Sequence, residues 1–142
     1  MLDVNVTALS VCTREAIQLM LSKDISDGHI IHVSSISGHR VAPSPSTHFY
    51  SATKFAVRAL AEGLRQELRA IKSGIRVTLI SPGVVETEFA LRLHDKEKGQ
   101  QFYANSPAIK AKDIADIVIN VLKMPAHVEI NDVLIRPTHQ VS

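Results

Sequence analysis

The sequence lacks the compositional features that would assign it to several classes of protein. Its one cysteine, Cys12, cannot form an internal disulfide, and because it falls in a helical pattern we expect it to pack in the interior. The net charge is only +2, from 16 basic and 14 acidic residues interspersed along the chain, so no basic stripe for nucleic acid is present. No apolar run approaches the ~20 residues that a membrane-spanning helix needs. The N-terminal MLDVN has no signal core, so we expect a cytoplasmic protein with neither a nucleic-acid partner nor a membrane span.

Seven histidines are the feature that invites a metal site. His29 and His32 lie three apart in a strand pattern and should face opposite sides of a sheet, and the other histidines are scattered. We therefore expect no metal. His39 and His48 are interpreted as loop or cap residues, and no acid is positioned to complete a nucleophilic Ser–His triad.

Helical and strand patterns alternate along the chain, whose 142 residues suit one domain. A helix is predicted from about Thr47 to Ile71, ended by Gly74, and a strand is predicted to stop at Ser81-Pro82-Gly83 because proline cannot donate to a ladder. The predicted helices are 4–23, 47–71 and 112–123, and the predicted strands are 29–35, 75–80 and 133–135. Strands alternating with helices of this length form parallel βαβ units, so the fold class is α/β.

Tyr50 and Lys54 lie one helical turn apart at the start of the second predicted helix. The phenol and the ammonium should therefore share a face. A cation beside a tyrosine favours the phenolate and lowers the pKa of the phenol, so the pair suits proton transfer.

Other polar residues follow the predicted strands. Ser35 ends the first strand, Ser81-Pro82-Gly83 ends the second, and Tyr50 lies in the first turn of the helix between them. Ligands of open parallel sheets bind at the carboxyl ends of the strands. We expect these residues to converge on one crevice.

The order Asn5, Ser35, Tyr50-x-x-x-Lys54 and a Pro-Gly-x-Val-x-Thr run at 82–87 resembles the classical short-chain dehydrogenase/reductases, and the agreement extends over the whole chain. The strings HFYSATK, EGLRQELR, ISPGVVET and LHDK resemble a subgroup similar to carbonyl and ketosteroid reductases. The resemblance implies a Rossmann-type doubly wound parallel sheet. It also implies hydride transfer between a nicotinamide cofactor, expected to be NADP with NAD as the alternative, and a small apolar carbonyl or secondary alcohol.

The resemblance also implies roles for catalytic residues. Tyr50 would be the general acid or base, Lys54 would hold the nicotinamide ribose, and Asn5 would anchor a water that links Lys54 to solvent, unless Asn5 is only a helix cap. Ser35 would polarise the substrate oxygen. Because the Ser35–Tyr50 spacing is longer than the commonest one in the family, Ser34 and Ser37 stay open as alternatives.

For cofactor binding, the resemblance implies that the Val85 backbone and the Thr87 side chain contact the nicotinamide carboxamide. Pro82 would end the strand, and Gly83 would let the backbone approach a flat ring. The next apolar residues form either a flap over the substrate or ordinary packing: Phe89, Leu91, Leu93, Phe102 and Tyr103.

None of the six glycines forms the G-x-x-x-G-x-G loop that would hold a pyrophosphate. We therefore expect residues 1–142 to be the C-terminal catalytic portion of a single Rossmann-type domain, with about three strands and without the N-terminal dinucleotide-binding part. The first strand should then have an unpaired edge, and the chain alone should be inactive. The longer protein is expected to be a homo-oligomer. The alternative is a non-catalytic short form that acts through association with partner subunits.

Overall fold

The computed structural model describes residues 1–42, 47–93 and 96–140. Pro43 and Pro45, which the sequence assigns to a loop, lie outside them. A π-helical segment, Asp3–Ala8, leads into α1 (Leu9–Ser22), and a 3-10 turn, Ile36–Gly38, follows the first strand. The remaining elements, in chain order, are β1 (His29–Val33), α2 (His48–Ala70), β2 (Arg76–Pro82), β3 (Val85–Glu86), α3 (Phe89–Leu93), α4 (Lys96–Asn105), β4 (Ile109–Lys110), α5 (Ala111–Leu122) and β5 (Asp132–Ile135).

The main sheet has three parallel strands in the order β1-β2-β5. Ile80 on the central strand is in register with Val33 on one side and Val133 on the other. Every residue of β2 after Arg76 is buried, as expected for a parallel strand with neighbours on both sides. The predicted α/β class is confirmed, and β3 and β4 add a small parallel pair.

The apolar core lies between α2 and the sheet. Val57, Ala61 and Leu68, spaced four and seven residues apart, form the buried face of α2. They pack against Ile75, Val77 and Leu79, with Leu9, Ile17 and Met20 of the first helix at the margin. This packing fixes α2, and with it Tyr50 and Lys54, relative to the strand ends.

Arg65 is a charged residue inside this core, where its side chain is only 5% exposed. Its Nε donates to the carbonyl of Val77 at 3.0 Å, Nη2 donates to the carbonyl of Asn131, and Nη1 pairs with Glu62 at 2.9 Å. Arg65 therefore ties α2 to β2 and to the segment that enters β5. The sequence does not signal this role, because an arginine in a helix is usually solvent-exposed.

Within the described part of the chain, β1 pairs with β2 alone. Val33 is 58% exposed at the end of this strand. The prediction that the strand formed around Ile30 and Ile31 has one unpaired edge is confirmed.

The helix predicted to run to Ile71 ends at Ala70, but the prediction that Gly74 caps it is wrong. Lys72 adopts the left-handed conformation (φ 54°), its amide bonds the carbonyl of Arg69, and the amide of Ser73 bonds the carbonyl of Leu68. These contacts form a Schellman motif. A Cβ at Gly74 would be 2.5 Å from the carbonyl oxygen of Ser26, so the glycine serves a close backbone approach instead.

Strand β2 ends later than predicted. It includes Ser81 and Pro82, and Pro82 is in register with Ile135. The ladder tolerates this proline because the next amide, that of Gly83, donates to the carbonyl of Ile135 at 2.6 Å. The strand can therefore end at Pro82 while the carbonyl of Ile135 still has a hydrogen-bond donor.

One further prediction is corrected: Cys12 is exposed, and not packed in the interior. The helices α3 and α4 pack closely, since a Cβ at Gly99 would be 2.8 Å from the Cα of Leu91. In the described ranges, no helix combines the length and the apolar character needed to cross a membrane.

Candidate active site

Ser35 lies directly beyond the end of β1. The amide of Ser34 still bonds the carbonyl of Ile80 at 2.7 Å, and Ser35 is extended and caps the Ile36–Gly38 turn. Its Oγ accepts a hydrogen bond from the amide of Ser37 at 3.1 Å. The buried hydroxyl is therefore held at the carboxyl edge of the sheet.

Tyr50, in the first turn of α2, reaches the same place. Its phenol lies close enough to the side chain of Ser35 for the two to interact. Burial raises the pKa of Tyr50 above its ordinary value, while the interaction with Ser35 acts in the opposite direction. The expectation that Lys54 lowers the pKa of Tyr50 is wrong in this structure, because burial of the phenol dominates.

Lys54 shares a face of α2 with Tyr50, as its spacing predicts. Its Nζ is 5.8 Å from the centroid of the Tyr50 ring and donates to the carbonyl of Val33 at 3.1 Å. Burial lowers the pKa of Lys54. The ammonium is thus anchored to the strand that leads to Ser35.

The three candidate serines occupy different positions. Ser35 lies beside Tyr50 and acts on its pKa, and Ser37 supplies a backbone N–H to Ser35. The Oγ of Ser34 is buried and has no hydrogen-bond partner among the described residues. Ser34 and Ser35 both lie beyond the end of β1 at Val33, and both are buried. The geometry favours Ser35, and its catalytic role stays a prediction.

Asn5 lies within the π-helical segment and is not its cap, since Leu2 precedes the segment in that position. Its Nδ2 donates to Oγ1 of Thr53 at 3.0 Å, and Thr53 donates to the carbonyl of Tyr50 at 2.7 Å. Asn5 is therefore connected to the turn that carries Tyr50 and Lys54. Single-turn π-helical distortions are frequent at functional sites. The sequence pattern did not predict this one.

Pro82 and Gly83 lie at the carboxyl end of β2, as expected. A Cβ at Gly83 would collide with the side chain of Gln140 and stand 2.8 Å from the Cβ of Arg136. The Oε1 of Gln140 also accepts from the amide of Val84 at 3.0 Å. Packing of the C-terminal segment is therefore a local reason for this glycine, beside the predicted approach to a cofactor ring.

The segment after Gly83 extends over Tyr50. Val85 is in register with Ile109, and Thr87 accepts at Oγ1 from the amide of Phe89 at 3.1 Å. The Phe89 ring lies 5.9 Å from the Tyr50 ring, centroid to centroid, at 51°. An open groove of about 620 Å³ adjoins this segment, lined by Glu86, Thr87, Glu88, Leu91, Gln100, Tyr103 and Ala104.

The structure contains a polar cluster at the strand ends that the sequence did not predict. Nε2 of His39 lies 3.1 Å from Oγ of Ser81 and 3.1 Å from Oδ2 of Asp132, and Ser81 donates to Oδ1 of Asp132 at 2.8 Å. One nitrogen of His39 contacts both partners, which is not the geometry of a nucleophilic triad. In the described ranges, His, Cys, Asp and Glu side chains form no group of three or more that could hold a metal ion.

A parallel α/β sheet with a serine, a tyrosine and a lysine gathered at its carboxyl edge has the arrangement of Rossmann-type proteins, which bind their ligands at that edge. The family model for short chain dehydrogenase matches residues 1–98. The chain therefore belongs to the short-chain dehydrogenase/reductase family, and the resemblance drawn from its motifs is confirmed.

Three similar proteins illustrate the relationship. Human dehydrogenase/reductase SDR family member 11 is 58% identical over 144 residues, which cover 100% of this chain and 55% of the human protein. Farnesol dehydrogenase of Aedes aegypti is 40% identical, with 96% and 52% covered. The closed form of serine dehydrogenase complexed with NADP+ superimposes with a TM-score of 0.89 at 34% identity, covering 100% of this chain and 56% of that one. The chain thus spans about half the length of the relatives it matches.

Proposed function

We propose that this chain is the catalytic portion of an NAD(P)-dependent oxidoreductase that interconverts a carbonyl and a secondary alcohol. One observation carries the proposal: the Tyr50 phenol lies close enough to the Ser35 side chain for that side chain to act on its pKa, and the Lys54 ammonium lies 5.8 Å from the centroid of the Tyr50 ring. Two hydroxyl donors and a cation at one strand edge suit a carbonyl oxygen on which negative charge develops. Membership of the family supports a nicotinamide cofactor.

In the direction of reduction, Tyr50 donates its proton to the carbonyl oxygen. The pKa of Tyr50 lies above its ordinary value, so the phenol is protonated at neutral pH, as this direction requires. Ser35 hydrogen-bonds the same oxygen and steadies the phenol of Tyr50. When bound, a nicotinamide cofactor supplies or accepts the hydride. In the direction of oxidation Tyr50 must lose its proton, so it acts as the base.

The donor set of the chain fits a nicotinamide nucleoside. An ammonium has three N–H donors, and Lys54 uses one on the carbonyl of Val33. We assign its other donors to ribose hydroxyls, and we assign the carboxamide to the Val85 backbone and the Thr87 side chain. Asn5 holds the relay water beside Lys54, and Pro82 and Gly83 shape the floor of the site.

NADP is proposed over NAD because a solved relative that superimposes over the whole chain is complexed with NADP+. The chain has no glycine-rich pyrophosphate loop and spans about half of its relatives. We therefore propose that its residues form the catalytic half of one Rossmann-type domain. The other half of that domain would hold the pyrophosphate of the cofactor, so we propose that this chain by itself is inactive.

For the substrate we propose an apolar carbonyl or alcohol. Phe89 is 54% exposed and its ring packs on Tyr50, so an apolar surface borders the reacting hydroxyl. The names of the relatives differ here, since one acts on farnesol and another on serine. Parallel assays with an apolar ketone, farnesol and serine distinguish these classes. Turnover of serine alone would overturn the apolar assignment.

The proposed function is tested with a longer protein that contains both halves of the Rossmann-type domain. Tyr50→Phe should lower kcat by roughly 10²- to 10⁴-fold, the usual contribution of a general acid, while NADPH binding measured by fluorescence titration stays intact. Ser35→Ala should also lower kcat. Ser37→Ala is the matched control, because Ser37 contributes only its backbone amide to Ser35. Unchanged turnover in Tyr50→Phe would refute the assignment.

Association with a second copy is a further candidate, and it rests on apolar side chains that face solvent on the first two helices. These residues are Val4, Val11 and Leu19 on the first helix and Phe49, Phe55 and Leu60 on α2. We propose that these faces pair in a homo-oligomer, with or without catalysis. Sedimentation of the wild type and of a Phe55→Glu, Leu60→Glu variant tests this. A monomeric wild type would overturn the pairing.

A further inference from the structure

His39 connects three separate parts of the fold. It directly follows the Ile36–Gly38 turn, and its Nε2 lies 3.1 Å from Ser81 on β2 and 3.1 Å from Asp132 at the start of β5. Its side chain is about one-fifth exposed. The proposed proton transfer does not use this contact.

The hydrogen-bond directions around His39 follow from the chemistry of its partners. Ser81 donates its single hydroxyl proton to Oδ1 of Asp132 at 2.8 Å, and a carboxylate has no proton to give. Nε2 of His39 must therefore carry a hydrogen, which it shares between Oγ of Ser81 and Oδ2 of Asp132. The histidine acts as a donor in a closed three-residue network.

The turn held by this donor carries Ser35. The amide of Gly38 bonds the carbonyl of Ser35 at 2.9 Å, and the amide of His39 bonds the carbonyl of Ile36 at 3.0 Å. On the opposite side, Gly38 packs so closely on α2 that a Cβ there would be 2.8 Å from the carbonyl oxygen of Lys54. The turn is thus held between α2 and the network of Ser81 and Asp132.

We propose that His39 is a positioning residue, whose donation from Nε2 to Ser81 and Asp132 holds the turn so that the Ser35 hydroxyl stays against Tyr50. The inference rests on the proposed function, to which it adds a residue that does not touch the substrate. If His39 no longer donates, the turn loses its hydrogen-bonded link to Ser81 of β2 and Asp132 of β5. Ser35 then spends less time in hydrogen-bonding geometry with Tyr50. This loss of alignment destabilises the transition state more than it lowers the affinity for the substrate.

The test compares four versions of the longer protein that contains both halves of the domain: the wild type, His39→Ala, His39→Gln and His127→Ala. Glutamine restores an N–H donor near the position of Nε2, whereas alanine removes it. His127 is exposed, so its alanine variant controls for the loss of a histidine. Steady-state kinetics with NADPH and an apolar ketone gives kcat and KM, and hydrogen exchange by mass spectrometry reports on the amides of Gly38 and His39.

We expect His39→Ala to lower kcat at least 10-fold with KM changed less than threefold, and to speed exchange in the turn. His39→Gln should recover kcat to within about threefold of the wild type, and His127→Ala should match the wild type. Should His39→Ala not fold, His39→Phe keeps a ring without a donor and replaces it. A glutamine variant as impaired as the alanine variant would overturn the proposal, as would unchanged exchange in the turn.

The proposed function and the positioning role of His39 can be refuted independently of each other. A wild type without turnover on any carbonyl or alcohol defeats the proposed function, and the exchange rates then decide whether His39 holds the turn. Faster exchange in His39→Ala that His39→Gln restores supports the tether. Faster exchange with unchanged kcat in an active enzyme overturns the positioning of Ser35.

Discussion

A Cβ added to Gly38 would stand 2.8 Å from the carbonyl oxygen of Lys54 and 3.0 Å from Oγ of Ser34. The turn after β1 therefore packs against the backbone of α2 at the point where α2 carries the proposed catalytic lysine. The backbone of Lys54 lies in a helix and cannot yield as a flexible side chain would. This contact sets the separation between the serine turn and the helix with Tyr50 and Lys54.

Gly38→Ala should therefore destabilise the protein and impair catalysis together. Overpacking of this kind costs about 1–3 kcal/mol of unfolding free energy, and the displaced turn should lower kcat. Gly63→Ala is the matched control, because nothing lies within 4 Å of a Cβ at this helical position. The control should stabilise the protein by about 0.5–1 kcal/mol. Urea unfolding measures both changes, and equal stability of the two variants would contradict the packing argument.

The raised pKa of Tyr50 predicts opposite pH profiles for the two directions of the reaction. Reduction needs the protonated phenol, so kcat/KM should stay level through neutral pH and fall only as the pH passes the raised pKa. Oxidation needs the phenolate, so its rate should climb with pH. Since the interaction with Ser35 lowers the pKa of Tyr50, Ser35→Ala should shift both transitions to higher pH. A shift to lower pH would contradict this assignment.

Phe89 should contribute to binding of an apolar substrate. Its ring is half-exposed and lies 5.9 Å from the Tyr50 ring. Burial of apolar surface against a substrate contributes about 25 cal/mol per Å², so Phe89→Ala should raise KM for an apolar ketone about three- to tenfold. Phe89→Leu keeps apolar bulk and should lie between alanine and the wild type. Steady-state kinetics at saturating cofactor measures the effect, and an unchanged KM would remove Phe89 from the substrate site.

Arg65 should stabilise the fold and leave the chemistry unchanged. Arg65→Met keeps the apolar stem but leaves the buried carbonyl of Val77 without its donor, which costs about 1–3 kcal/mol. Arg69→Met is the control, because Arg69 is 58% exposed and exposed ion pairs contribute little. Thermal unfolding should separate the two variants. A loss in Arg69→Met as large as that in Arg65→Met would contradict the role of the buried guanidinium.

Periodicity was sufficient to predict the regular parts of the fold. The apolar spacing of α2 and the β-branched run of β1 predicted both elements within a few residues, because a helix with one buried face and a strand packed in a sheet each have their own sequence pattern. The residue that caps α2 was predicted wrongly. Lys72 adopts the left-handed conformation there, and Gly74 is needed for a backbone contact with Ser26 that only the folded chain creates.

The predictions for the candidate site were also partly right and partly wrong. The residue order and the one-turn spacing placed Ser35, Tyr50 and Lys54 together. The sign of the Tyr50 pKa shift was predicted wrongly, since the depth of burial around a phenol is a property of the packed structure and not of spacing.

The sequence by itself determined the α/β class, the family motifs and the shared face of Tyr50 and Lys54, because these depend on local period and residue identity. The tertiary structure decided which serine meets Tyr50, how Asn5 reaches α2 through Thr53, and that His39 joins Ser81 and Asp132. Each of these contacts joins residues from different elements. Their distances are set by how helices and strands pack, which no local pattern in the chain records.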